Sequence, residues 1–256
     1  MGKIGEFEFY GFKTVDSLPL LYLPSKDLLV LSDLHLGLEE NMTSKGSYVP
    51  QFQLEDIIED INFAKKLTNA DKILINGDLK NEFSRSHFAE KKEIRELINE
   101  LEQNFDQIFL IKGNHDTAMD KLLEEFNVEF ADYKVLDNIL FTHGHKLVEN
   151  LEGLSVGDFD TIVLGHEHPA LSLVDDVGVK EKVDCFLYGE SDLGNLVVLP
   201  AFAKVSSGTR INETPSKNLL SPLLRNSVDV GELKALGVSR EAGLFPFPEL
   251  KKLKKR

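Results

Sequence analysis

The stretch LLVLSDLH, residues 28–35, decides the fold: four consecutive apolar residues, Leu28 to Leu31, run without polar alternation into Asp33 and His35. A continuous apolar run of that length suits a strand buried on both faces, as in a parallel sheet covered by helices. The same form recurs four times. ILINGD (73–78) ends in Asp78, the run Ile108 to Ile111 leads to Asn114, His115 and Asp116, ILFTHGH (139–145) ends in His143 and His145, and IVLGHEH (162–168) ends in His166 and His168. Six of the seven histidines stand in these clusters. A core has no need of imidazole at strand ends, whereas a metal does, because imidazole is a common ligand and neutral near physiological pH. Together the clusters offer nitrogen and oxygen donors enough for two ions.

Between the runs lie helical patterns. Leu54, Ile57, Ile58, Ile61 and Leu67 recur at helical spacing, with Glu55, Glu59 and Lys66 outside. Ile94, Leu97, Ile98 and Leu101 mark a second helix from about Ser86 to Gln103, and Thr117 to Phe126 repeats the pattern. That β-α-β-α-β order calls for parallel strands with crossover helices, and ligands in such sheets collect beyond the carboxyl ends of strands. After Val128 come shorter strands at Tyr133–Leu136, Ile139–Thr142, Thr161–Leu164, Val183–Tyr188 and Leu196–Leu199, which suggest a second, mixed sheet packed on the first. The expected fold class is thus α/β, a four-layer α-β-β-α sandwich with the metal site at the strand ends. With no linker or repeat in view, residues 1–256 read as one domain whose motifs span 33–168. The segment 212–256 reads as an extension: Pro215, Pro222, Pro246 and Pro248 break it up, Leu219, Leu220, Leu223 and Leu224 dock on the core, and the basic end 251–256 frays.

Each cluster has a chemical reading and a plainer one. Asp33 and His35, two apart at a strand end, can emerge on one side and reach one ion. Gly77 permits a tight turn that sets the Asp78 carboxylate where its two oxygens can bridge two cations, although strands often end in Gly-Asp simply to turn. Asn114 can ligate a hard metal through its amide oxygen, leaving His115 for proton transfer with Asp116 fixing its tautomer; the same pair could merely cap a helix. His145 is either a support or phosphate contact at the site or a solvent-exposed imidazole. Asn81 is a hydrogen-bonding support. Arg85, whose guanidinium fork matches phosphate oxygens, and His87 follow in a loop near the metals, where plain exposure is the alternative; Arg210 after Gly208-Thr209 is similar. Residues 38–52 form a long polar loop, either a substrate rim or a solvated connection. Cys185 reads as an apolar strand filler.

The series D-x-H, G-D-x-x-N, G-N-H-D, T-H-G-H and G-H-x-H resembles the calcineurin-like metallophosphoesterase superfamily, and the later segments around Glu167–Ala170, Cys185–Leu187, Leu199–Phe202 and Gly208–Thr209 look like its SbcD-related, DNA-ligase-associated branch. That resemblance implies one metal on Asp33, His35, Asp78 and His168 and another on Asp78, Asn114, His143 and His166, with Asp78 shared. It implies Mn²⁺ first, with Fe, Zn²⁺ or Ni²⁺ as alternatives, and a hydroxide bridging the ions that attacks phosphorus. His115 would be the general acid, or a donor to phosphoryl oxygens, with Asp116 behind it; Arg85 and His145 would contact substrate. The implied reaction is hydrolysis of a phosphodiester in nucleic acid or a nucleotide. The alternatives are a phosphomonoesterase, a cyclic-nucleotide phosphodiesterase, or a scaffold without catalysis. Nuclease relatives carry a capping domain after the core, and the chain is short for a large one.

Composition narrows the setting. A formal net charge of −14 argues against broad, sequence-independent adhesion to nucleic acid, although a filled two-metal site would be an electropositive spot that draws phosphate. The single Cys185 excludes an intramolecular disulfide and a thiolate-rich zinc site, and suits a reducing interior. Neither a secretory h-region nor a run of roughly 20 apolar residues is present, and Glu6 stands where a myristoylation motif wants Ser or Thr. A cytoplasmic location without membrane contact is the expectation.

Overall fold

A computed structural model describes residues 2–39, 52–82, 88–174, 178–204 and 208–253. Two mixed sheets pack face to face. The first has the order β1 (Ile4–Phe9), β2 (Phe12–Val15), β3 (Leu21–Leu23), β4 (Leu28–Leu31), β5 (Lys72–Ile75), β6 (Gln107–Ile111) and β7 (Glu129–Ala131). β1 to β4 pair antiparallel and β4 to β7 parallel. Crossovers between β4, β5 and β6 carry α1 (Gln53–Thr68) and α2 (Phe88–Asn104). Asn69 ends α1 in the left-handed conformation that asparagine tolerates well, its N–H bonded to the Lys65 carbonyl.

The second sheet contains β8 (Tyr133–Leu136), β9 (Ile139–Thr142), β10 (Thr161–Leu164), β11 (Pro169–Val174), β12 (Lys180–Ser191), β13 (Gly194–Val198) and β14 (Thr209–Arg210), in the order β14-β11-β12-β13-β10-β9-β8. β15 (Lys234–Ser239) joins the far half of β12, and β16 (Gly243–Glu249) pairs with β15.

Alternation along each buried strand distributes side chains to two cores. From β4, Leu29 and Leu31 meet Ile57, Ile61, Ile94, Leu97 and Ile98 of the helices. Leu28 and Val30 point the other way and, with Leu74, Phe109, Phe141, Val163, Phe186 and Val197, fill the space between the sheets. The outer face of the second sheet is covered by Leu219, Leu223, Leu224, Val230 and Leu250. The four layers match the expected sandwich, with one difference of proportion. The cover on the second sheet comes from short turns, including α4 (Pro222–Asn226) and α5 (Leu250–Leu253), because prolines and glycines deny this region a long helix.

Other expectations need correction. β1 to β3, where no strand was expected, precede the run Leu28–Leu31, and the pattern over 117–126 yields only a four-residue helix, α3 (Asp120–Leu123). Leu220 is exposed while Leu219, Leu223 and Leu224 are buried. Pro246 and Pro248 interrupt nothing: they lie in β16, an edge strand, where a missing N–H can face away from the ladder. At the basic end, Leu250 is buried and Lys251 and Lys252 are ion-paired with Glu232 and Glu249. Residues 254–256 lie outside the described residues, as does most of the 38–52 loop. No described helix is long and apolar enough to cross a membrane.

Candidate metal centre

Five strand ends meet at one edge of the sandwich: β4, β5 and β6 from the first sheet, β9 and β10 from the second. The chain then turns sharply. Asp33, His35, Asp78, His166 and His168 all have positive φ, between 45° and 66°, a backbone region that is uncommon outside glycine. Asp33 and His35 therefore converge through left-handed corners beyond β4 rather than through strand alternation. Their amides are held by the carbonyls of Gly77 and Asp78, each at 3.0 Å, which ties the first corner to the second.

Two donor groups result. Asp33, His35 and His168 form one, with His168 Nε2 2.9 Å from Asp33 Oδ1 and 3.2 Å from His35 Nε2. Asp78, His143 and His166 form the other, with His143 Nε2 3.3 Å from Asp78 Oδ2 and 3.2 Å from Asn114 Oδ1. All seven residues expected as ligands are thus gathered at one place, and Asp78 also joins a third grouping with His35 and His115. The set fits divalent ions. It is largely buried and brings imidazole nitrogen together with carboxylate and amide oxygen, a sulfur-free donor mixture that suits Mn²⁺, Fe or Zn²⁺.

Hydrogen bonds behind the ligands set their directions. Asn76, wholly buried, donates to the Thr142 and Val163 carbonyls across the sandwich at 3.0 and 3.1 Å, and its own carbonyl accepts from His143 Nδ1 at 2.9 Å. The ring thereby presents Nε2 to Asp78. Ser32 Oγ lies 2.5 Å from Asp33 Oδ2 and 2.9 Å from the Asn76 carbonyl, and the His166 amide reaches Asp33 Oδ2 at 3.1 Å. Ser221, ahead of α4, secures both histidine pairs: its N–H donates to Glu167 at 2.9 Å and its hydroxyl to the Gly144 carbonyl at 2.8 Å. Asn76, Ser221 and Glu167 were not read as site residues. Asn76 and Ser221 signalled themselves only as polar residues beside apolar runs, and Glu167 only by standing between two histidines, none of which identifies a partner in advance.

Electrostatics divide the imidazoles. Burial lowers His35 to about 4, more than the Asp33 charge can offset, and likewise lowers His166 to about 3 and His145 to about 4. Burial opposes charge on His143 too, but Asp33 and Asp78 overcome it and lift that ring to about 9. His168 is raised in the same way, against burial, by Asp33. Burial likewise opposes ionisation of Asp33, yet His168 and His143 prevail and hold it well below the carboxylate range; His143 does the same for Asp78. Asp116 rises to about 6, through burial first and the nearby Asp78 charge second.

His115 lies on the open side, its Nε2 3.7 Å from Asp78 Oδ2 and its amide 2.9 Å from Asp78 Oδ1. Its Nδ1 pairs with the backbone carbonyl of Asn81. That carbonyl takes the position expected for Asp116, whose oxygens instead accept the amides of Gly113 at 2.8 Å and Lys80 at 3.2 Å. A short carboxylate two bonds from its own backbone satisfies the N–H groups of a tight turn more readily than a neighbour's ring. Asn81 thus supports the site through its main chain. His145 is half-buried, its ring 5.4 Å from that of His143, with Nδ1 buried and without a hydrogen bond among the described residues. Arg85 and His87 lie outside the described residues. Arg210 is exposed on β14, opposite Ala170, in the strand whose Thr209 amide bonds the His168 carbonyl at 2.9 Å. Cys185 is fully buried on β12.

Residues 27–170, more than half of the chain, match the model of the calcineurin-like phosphoesterase family. The chain belongs to that family, whose members are metal-dependent hydrolases of phosphoester bonds. Among solved structures it is similar to the nuclease MPE of Pseudomonas putida, at 16% identity and a TM-score of 0.60, over 96% of this chain and 100% of that one. The phosphoesterase YfcE of E. coli matches at 20% identity with a TM-score of 0.40, over 71% of this chain and 83% of its own. A zinc-complexed Vps29 from Entamoeba histolytica matches at 13% identity with a TM-score of 0.35, over 86% and 98%. No curated protein sequence matches.

Proposed function

We propose that this chain hydrolyses a phosphodiester, in nucleic acid or a nucleotide, using two divalent ions, Mn²⁺ first among them. Asp33, His35, Asp78 and His168 would hold one and Asp78, Asn114, His143 and His166 the other. The observation that carries the reading is the convergence of those side chains around Asp78, with His115 beside them. Divalent ions held there would supply charge neutralisation for phosphoryl oxygens and a water of lowered pKa. The protein's own part is positional. Asn76 and the Gly77 corner aim His143 and Asp78, and Ser221 and Glu167 keep the two H-x-H corners together. With Nδ1 committed to the Asn81 carbonyl, His115 takes up and gives back a proton at Nε2, which faces the site and serves the departing alkoxide. Half-buried His145 would donate to a phosphoryl oxygen, and Arg85, outside the described residues, is assigned the same contact from the chemistry of its guanidinium alone.

Nucleic acid is the first substrate to try because the P. putida protein whose structure overlaps nearly the whole chain is a nuclease. The deciding experiment assays purified protein with added Mn²⁺ against single-stranded DNA, a bis-nitrophenyl diester, a nitrophenyl monoester and cyclic nucleotides. Turnover of DNA or the diester well above the monoester is expected. Turnover of the monoester or cyclic nucleotides alone would transfer the reading to those substrates, and two bound metals with no turnover of any would leave a scaffold.

A further inference from the structure

Glu90 is buried in the first turn of α2, about ten residues from any motif, and it takes no part in the roles assigned above. Its Oε1 accepts the amides of Asn81 at 3.1 Å and Glu82 at 3.0 Å. The second contact matters most, because the Glu82 N–H belongs to the same peptide unit as the Asn81 carbonyl, and that carbonyl accepts Nδ1–H of His115. A continuous chain therefore runs from carboxylate to peptide N–H, through the peptide to its carbonyl, and on to the imidazole. A carboxylate on one end of a peptide polarises it and makes the other end a better acceptor.

Other contacts hold the chain in place. Lys80, wholly buried, donates to the Glu82 carbonyl, and Glu90 is the foremost of the carboxylates that favour its charge. Glu93, one turn further along α2, accepts the Gly37 amide at 2.9 Å and so fastens the corner that follows His35. An acidic first turn is also where a helix favours negative charge.

We infer that Glu90 is the positioning residue of His115, fixing its tautomer and tilt through the Asn81–Glu82 peptide in the role that a directly bonded carboxylate plays for histidine elsewhere. The catalytic consequence rests on the proton-donor role proposed for His115; the structural one does not. No proton need reach Glu90, since the peptide transmits polarisation and geometry only.

The test uses the full chain and Glu90→Gln, which keeps an acceptor oxygen and removes the charge. With Mn²⁺ and single-stranded DNA, whose alkoxide leaving group needs the proton as nitrophenolate does not, kcat is expected to fall on the order of tenfold, with KM and bound metal unchanged. In a His115→Ala background the same change should do nothing further, because its route has been removed. A second readout needs no turnover: in metal-free, ¹⁵N-histidine-labelled protein, His115 should carry its proton on Nδ1, and that proton should exchange several-fold faster in E90Q. Unchanged kcat in E90Q, an equal loss in both backgrounds, or the Nε2–H tautomer in the wild type would overturn the assignment. Full activity of His115→Ala would instead remove the proton-donor reading, and the exchange of the Nδ1 proton would still decide whether Glu90 orients the ring.

Discussion

His115 and Asp78 touch twice, ring to carboxylate and amide to carboxylate, yet their replacement should separate two functions. His115→Ala is expected to leave close to two metal equivalents bound while turnover drops by about 10²–10⁴. Asp78→Asn removes a charge common to both donor groups, so metal and turnover should go together. Elemental analysis beside a diester assay distinguishes the cases, and a fully active His115→Ala across substrates would refute the donor role. The residues that converge around Asp78 could be picked out in the sequence, because each follows an apolar run. The partner of His115 could not, since a backbone carbonyl leaves no mark on residue type, and Asp116 was the plausible neighbour that turned out to be satisfying its own turn.

At the scale of elements, the corner after β5 leaves no room for a side chain. A Cβ on Gly77 would lie 2.2 Å from His143 Nδ1, and φ there is +95°. Gly77→Ala is therefore strained in its backbone and displaces the ring that faces Asp78. Metal affinity should fall about 10- to 100-fold, measured by titration, with the sheets intact by circular dichroism. Native affinity would mean the corner relaxes without cost. β4, β5, β6, β9 and β10 were readable because strands covered on both faces carry unbroken apolar runs. β1 mixes charged and aromatic residues around a half-exposed edge, β11 opens on Pro169, and β15 and β16 include Gly237, Pro246 and Pro248, so none carries that signature. Those strands form through tertiary pairing, with β15 along β12 and β1 along β2.

For the molecule as a whole, the buried imidazoles make metal-free stability depend on pH in both directions. His143 has an ordinary value of 6.5 raised to about 9, so its contribution is full below 6.5 and is lost as pH climbs through 9. His35, His145 and His166 are lowered to between about 3 and about 4, so each withdraws stability as pH drops below 6.5. Thermal melts of chelated protein should therefore peak near pH 6.5 to 7 and decline on either side. Added Mn²⁺ should flatten the alkaline limb, since an ion then occupies the place of the His143 proton. A chelated protein whose melting point climbs steadily to pH 9.5 would contradict this balance.

The left-handed corners at Asp33, His35, Asp78, His166 and His168 carry one more implication. Each such posture costs on the order of 1–3 kcal/mol for a residue with a side chain, least for aspartate, and the surrounding sandwich must hold it there. Durability and chemistry are thus set against each other at the same five positions. Glycine at any one would relax the backbone and discard a donor, so a catalytically silent descendant could become the hardier molecule.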